Sequence, residues 1–278
     1  MVWSWLRSVL TFMLLLPASV AAHGDLHEQI AAITRRIDES PSRADLYVRR
    51  GQLHRVHGEW EAALADYDRA ARLDPDLSVI DFVRGVALLD AGRPADARAA
   101  LDRFLARRPD HVEAHATRAR AWLGLGQPLA AAQDFSRAIA LLPQPRPEYY
   151  IERARALAAA GDIHVDEALR GLDEGIERLG PLVTLQLYAV DLELVRARPA
   201  AALARLERML ERFGSNPTWL VRRAEILERA GRPGEARAAY ASSLAALEGL
   251  APSRRASKAV DELTARVRVA LERLEAAR

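Results

Sequence analysis

Three prolines, Pro75, Pro109 and Pro143, stand 34 residues apart, each closing a stretch of helix-compatible sequence. Dividing the chain on that period, as 44–77, 78–111 and 112–145, brings like residues onto like positions. The eighth position holds Gly51, Gly85 and Ala119, and the twentieth holds Ala63, Ala97 and Ala131. The twenty-fourth holds Tyr67, Leu101 and Phe135, and a glycine (Gly58, Gly92, Gly126) separates the halves of each unit. Small side chains let two helices approach closely, and larger ones beside them fill the remaining space. The glycine supplies the reversal between helices and the proline stops the second one. The period therefore predicts nested helix pairs, stacked unit upon unit.

Beyond Pro143 the pattern loosens but persists. Residues 147–182 carry Ala154, Leu157 and Gly161, then Ala168, Leu172 and Gly175, with two extra residues near Ile163–Asp166. Residues 183–216 keep Tyr188, Leu192, Ala202 and Leu206, with Arg198-Pro199 in place of the turn glycine. Residues 217–250 return to form with Ala224, Leu227, Gly231, Ala236, Tyr240 and Ser243. The run from Pro143 to Pro147 reads as a rigid joint. At these positions the chain resembles the tetratricopeptide repeat family. The resemblance implies an all-α, right-handed α-solenoid of helix–turn–helix repeats, capped by a helix at both ends.

The caps are visible as amphipathic stripes, which a solenoid requires because its end faces lack neighbours. Leu26, Ile30, Ile33 and Ile37 form one, entered by Asp25 with Glu28 three residues on, a capping-box arrangement. Val260, Leu263, Val267, Leu271 and Leu274 form the other. The expected organisation is a signal peptide over 1–22, an N-terminal capping helix over 23–43, three regular repeats over 44–146, three divergent repeats over 147–250, and a C-terminal capping helix over 251–278.

The signal reading rests on Arg7, an apolar run from Val9 to Leu16 broken by Thr11, Pro17, and small residues at Val20-Ala21-Ala22. The run is short of the roughly 20 residues that span a bilayer. Cleavage after Ala22 is the expectation, with an uncleaved anchor as its alternative; no stable membrane insertion is expected after cleavage. In a diderm bacterium this places the mature protein in the periplasm. The absence of cysteine means that folding there needs no disulfide. A formal charge of +2 is too small to argue for nucleic acid.

Chemistry is sparse. The phosphate-loop, nucleophile-elbow and zinc-protease motifs are absent, lysine occurs once, at Lys258, and carboxylates alternate with arginines at helical spacing. No enzyme is expected. His23 would become the mature amino terminus, offering an amine and an imidazole, and His27 could add a second ring. Nitrogen-rich sets of this kind suit copper(II), which makes copper handling by His23 and His27 an alternative function. The other histidines read as structural, His54 as a core residue in place of an aromatic.

In the tetratricopeptide family the first helix of each repeat lines a concave groove. That resemblance implies groove positions at Asp45, Val48, Gln52 and Arg55; at Val79, Phe82, Val86 and Leu89; at Glu113, Ala116, Arg120 and Leu123; and at Glu148, Ile151, Arg155 and Ala158. Of these, Val48, Gln52, Arg55, Phe82, Val86, Leu89, Arg120 and Arg155 are the candidate contacts. An apolar floor with arginines beside it suits an extended or helical peptide bearing acidic groups; burial of Phe82 and Leu89 between repeats is the competing reading. Val48 and Gln52 stand where chaperone-binding relatives want lysine and asparagine, which argues against that role. The main expectation is an exported, non-catalytic scaffold for a protein or peptide partner.

Overall fold

The computed structural model describes the backbone of residues 18–276 and the side chains of residues 25–276. The expected signal segment therefore lies outside the described side chains, and its first 17 residues lie outside the described chain. The described residues contain helices and turns and no strand. They fall into two compact units that divide between Pro109 and Asp110.

The first unit opens with α1 (Ala18–Glu39), followed by two pairs: α2 (Ala44–His57) with α3 (Trp60–Leu73), and α4 (Val79–Asp90) with α5 (Pro94–Arg107). The second unit contains four pairs and an end. The pairs are α6 (Val112–Gly124) with α7 (Pro128–Ala140), α8 (Pro147–Ala159) with α9 (Val165–Leu179), α10 (Val183–Val195) with α11 (Pro199–Phe213), and α12 (Pro217–Arg229) with α13 (Pro233–Glu248). The short α14 (Pro252–Arg255) and the long α15 (Lys258–Ala276) complete it. The expected helical-repeat fold is observed in both units.

Each pair is built as its sequence dictates. The alanine of the twentieth position is wholly buried in all six repeats: Ala63, Ala97, Ala131, Ala168, Ala202 and Ala236. Opposite it, the eighth position must stay small. A methyl group on Gly51 would sit 2.5 Å from Tyr67 Cε1, and one on Gly85 would sit 2.6 Å from Leu101 Cγ. Proline occupies the first turn of the second helix in α5, α7, α11 and α13, where its missing N–H costs nothing.

In five of the six repeats the turn is closed by a hydrogen bond from the residue after the reversal to a carbonyl five residues back. It recurs as Glu59 N–H to His54 O (2.9 Å), Arg93 to Leu88 (2.8 Å), Gln127 to Trp122 (2.9 Å), Arg198 to Glu193 (2.8 Å) and Arg232 to Leu227 (2.9 Å). The reversing residue has positive φ: Gly58 at 85°, Gly92 at 71°, Gly126 at 68° and Gly231 at 70°. In the fifth repeat Ala197 takes that place at φ 53°, the one non-glycine residue with positive φ among those described. The turn glycine is thus replaced by Ala197, with Arg198-Pro199 following as ordinary helix entry. The two extra residues of the fourth repeat are absorbed by a 3₁₀ turn at Asp162–His164.

Two sequence expectations are corrected at the ends. α1 begins at Ala18, so Asp25 lies inside the helix and does not cap it; Ala18 to Ala22 are compatible with helix and continue it backwards. The C-terminal cap is a short turn of helix followed by α15, because Ala256-Ser257 interrupts the run. Both stripes nonetheless cover core: Ile33 and Ile37 are buried against α2, and Val267 and Ala270 against α13. Across the proline-rich segment 143–147, α7 and α8 pack directly on one another.

Candidate partner-binding surface

In the first unit the groove positions lie on α2 and α4. Val48 is buried at 8% exposure and so belongs to the core, while Gln52 is exposed. Arg55 reaches along one repeat to Asp90, 2.6 Å away, joining α2 to α4. On α4, Val79, Phe82, Val86 and Leu89 are all half-buried. Phe82 is half-buried, with its ring centroid 5.3 Å from that of Phe104 on α5. The strip is thus neither sealed in the core nor fully open to solvent.

In the second unit the same kind of bridge recurs between consecutive first helices. Arg120 on α6 forks onto Glu152 on α8 at 3.2 and 3.0 Å. Tyr149 on α8 donates to Glu113 on α6 at 2.9 Å, and Arg146 lies 3.0 Å from the same carboxylate. Burial, aided by the hydrogen bond to Glu113, pushes the Tyr149 phenol up to about 12. Arg155 on α8 stacks over the ring of Tyr188 on α10, 5.6 Å from its centroid. Arg222 on α12 pairs with Asp191 on α10.

These bridges revise the expected electrostatics. Arg55 and Arg120 are already engaged by acids one repeat away. Arg155 is exposed and, among the described residues, enters no ion pair. An incoming carboxylate would meet Arg155 directly and would have to compete with Asp90 or Glu152 elsewhere. The sequence held the signal for these pairs, since the partners stand 31 to 36 residues apart, close to the repeat length.

A second recurrence also escaped the sequence reading. The seventh position is arginine in five repeats: Arg50, Arg84, Arg118, Arg153 and Arg223. Each binds an acid on a second helix: Asp66, Asp68, Asp134, Glu174 and Glu207. Arg50 also donates to Thr34 Oγ1 at 3.2 Å, which ties α1 onto the first repeat.

The histidines are mostly structural in their contacts. His54 is half-buried rather than fully in the core, because its Nδ1 reaches the exposed Glu59, 2.5 Å away. His57 shares that carboxylate at 3.0 Å, and its ring meets that of His27 edge-on at 4.4 Å. The two histidines hold the Glu59 carboxyl below its usual range. His111 caps α6 by accepting from the Ala114 N–H at 3.1 Å. The backbone of His23 lies within α1; its side chain lies outside those described. Among the described residues no group of three or more His, Cys, Asp or Glu is arranged to hold a metal ion, and no helix is long and apolar enough to cross a membrane.

Stacked helix pairs whose first helices share a bridged face define a helical-repeat protein of the scaffold class. Tetratricopeptide repeat models match residues 44–77, 82–147 and 189–252, more than half of the sequence. The chain belongs to the tetratricopeptide repeat family. Among solved structures it is similar to a tetratricopeptide repeat protein from Parabacteroides merdae ATCC 43184, with 18% identity, 90% of this chain and 95% of that one covered, and a TM-score of 0.54. It is also similar to YrrB, described as a TPR protein with an unusual peptide-binding site (22% identity, 65% and 91% covered, TM-score 0.53). A third similar structure is PilW, a type IV pilus biogenesis factor (20% identity, 72% and 91% covered, TM-score 0.56). At these identities the likeness is one of fold.

Proposed function

We propose that this protein is an exported, non-catalytic scaffold that holds a segment of a partner protein against the faces of its first helices. The observation that carries the proposal is the apolar strip of α4, where Phe82, Val86 and Leu89 stay half-buried beside the exposed Gln52. Apolar side chains left partly open along a helix face mark a docking surface for another chain. The peptide-binding description of YrrB is consistent with this use of the fold. In the second unit Arg155 supplies an exposed cation for an acidic side chain of the partner. Export rests on the segment 1–22, and mass spectrometry of the processed chain tests it by reading the terminal residue.

The docking proposal is tested with a photo-crosslinking amino acid at Gln52. A defined partner should crosslink there, and Val86→Glu should abolish the crosslink without changing the helical circular dichroism signal. Equal capture from the exposed Glu61 of α3 would contradict it.

Copper handling by His23 and His27 is the second reading, motivated by the amine and imidazole that His23 would offer as a mature terminus, with His27 four residues on. It requires cleavage, because only a free terminal amine at His23 would complete a nitrogen-rich set. Copper titration of the processed chain, with His27→Ala as the comparison, tests it.

A further inference from the structure

Arg50 on α2 donates to Thr34 on α1, and that contact sets where the two helices meet again. Seven residues make about two helical turns, so a step of seven back along α1 and seven forward along α2 leads from this pair to His27 and His57. Their rings do meet, with centroids 4.4 Å apart and planes crossing at 70°. The two contacts run in opposite senses along the chain, so α1 and α2 are antiparallel. Ile33 and Ile37, buried against α2, hold the register.

The spacing of the rings has a chemical meaning. Two imidazoles bound cis to a tetragonal metal ion each lie about 2 Å from it through nitrogen, which puts their centroids about 4.5 Å apart. His27 and His57 already stand at that separation. His27 is exposed and the His57 side chain is 15% exposed, so solvent reaches both residues. The Nδ1 of His57 is shielded from solvent beside Glu59 Oε1, 3.0 Å away. A carboxylate at one ring nitrogen is the usual way to orient an imidazole that binds metal through the other. His54 is committed elsewhere: its Nδ1 takes the second oxygen of Glu59 at 2.5 Å, and its Nε2 lies 4.0 Å from Asp66 on α3.

We propose that His57 is a copper(II) ligand, binding through Nε2 beside His27 and joining the amine and ring of a terminal His23 in a set of four nitrogens. The proposal rests on the copper reading given above and adds to it a ligand from a second helix, with Glu59 as the group that orients it. Four nitrogens suit the tetragonal preference of copper(II) better than the three that His23 and His27 supply by themselves. The bound ion would fasten α1 to the first repeat. Copper should therefore stabilise the cap as well as occupy it.

The probe is copper(II) alone, titrated into the processed chain in competition with a chelator of known affinity. One equivalent should bind, and electron paramagnetic resonance should count four equatorial nitrogens. His57→Gln should weaken binding by at least about tenfold, remove one nitrogen from the spectrum and diminish the rise in melting temperature that copper causes. His54→Ala should leave the nitrogen count unchanged, and Glu59→Gln should weaken binding while keeping all four nitrogens. Failure of the processed chain to bind copper would remove the copper reading and this proposal together. Tight binding with three nitrogens in the parent, or equal affinity and an identical spectrum for His57→Gln, would overturn the role of His57 and leave the copper reading standing.

Discussion

The guanidinium of Arg118 grips both carboxylate oxygens of Asp134, with Nε and Nη2 each 2.7 Å away, and His115 Nδ1 lies 3.1 Å from the same group. Asp134 is 6% exposed, so the pair joins α6 to α7 away from bulk water. Burial alone would raise the Asp134 pKa, but the hydrogen bonds from Arg118 and His115 outweigh it and the net shift is downward. A carboxyl with a lowered folded pKa contributes stability above its unfolded pKa of about 3.9 and loses it as pH falls through the folded value.

Asp134→Asn should therefore destabilise the second unit by about 2 kcal/mol at neutral pH, the scale of a charge-assisted hydrogen bond. The gap between variant and parent should narrow below about pH 4, where the parent carboxyl itself becomes protonated. Urea melts at pH 7 and pH 3 check both statements.

Gly51→Ala should destabilise by roughly 1–3 kcal/mol through overpacking. The added methyl would press on the wholly buried ring of Tyr67 and lie 3.1 Å from the Ala63 carbonyl, so little can yield. Ala97→Leu should do the same at the second crossing, by a similar amount. Gly234→Ala is the control: no atom lies within 4 Å of its added methyl, and a gain of up to about 1 kcal/mol is expected from helix propensity. Thermal melts of the three variants decide the matter.

Ala197→Gly should stabilise the fifth repeat by roughly 0.5–1 kcal/mol. Relief of the left-handed strain on alanine exceeds the added freedom of the unfolded chain. Gly92→Ala should act in the opposite direction, since Gly92 has φ 71° with open space around it. Denaturant midpoints compare the two.

Glu152→Gln should release Arg120 from its pair, at a stability cost of about 1 kcal/mol for this half-buried bridge. Arg120 would then be available to a carboxylate of the partner, and binding of an acidic partner should tighten. Calorimetric titration at two salt concentrations measures this, with the gain shrinking at high salt.

The helix pairs were legible because each depends on one position at a time. An alanine at the twentieth position and a glycine at the turn mean the same thing wherever they occur. Ala197 was misread because a proline nearby offered an easier explanation of the missing glycine. The ion pairs of the seventh-position arginines were not legible for a different reason: each arginine chooses among several acids. Arg50 and Arg118 bind the aspartate of their own repeat, at the twenty-third position, whereas the second repeat has Ala100 there. Arg84 accordingly turns to Asp68 of the preceding repeat. Val48 was assigned to the surface from its position, and the structure buries it because α1 covers that end of the stack.

Oxidative footprinting of the full chain with its crosslinked partner bound tests the docking proposal most directly. Phe82, Val86 and Leu89 on α4 should lose reactivity on binding, while Trp60 and Leu64 on α3 should keep theirs. Protection confined to α3, with α4 as reactive as in the free protein, would contradict a partner held on the first helices.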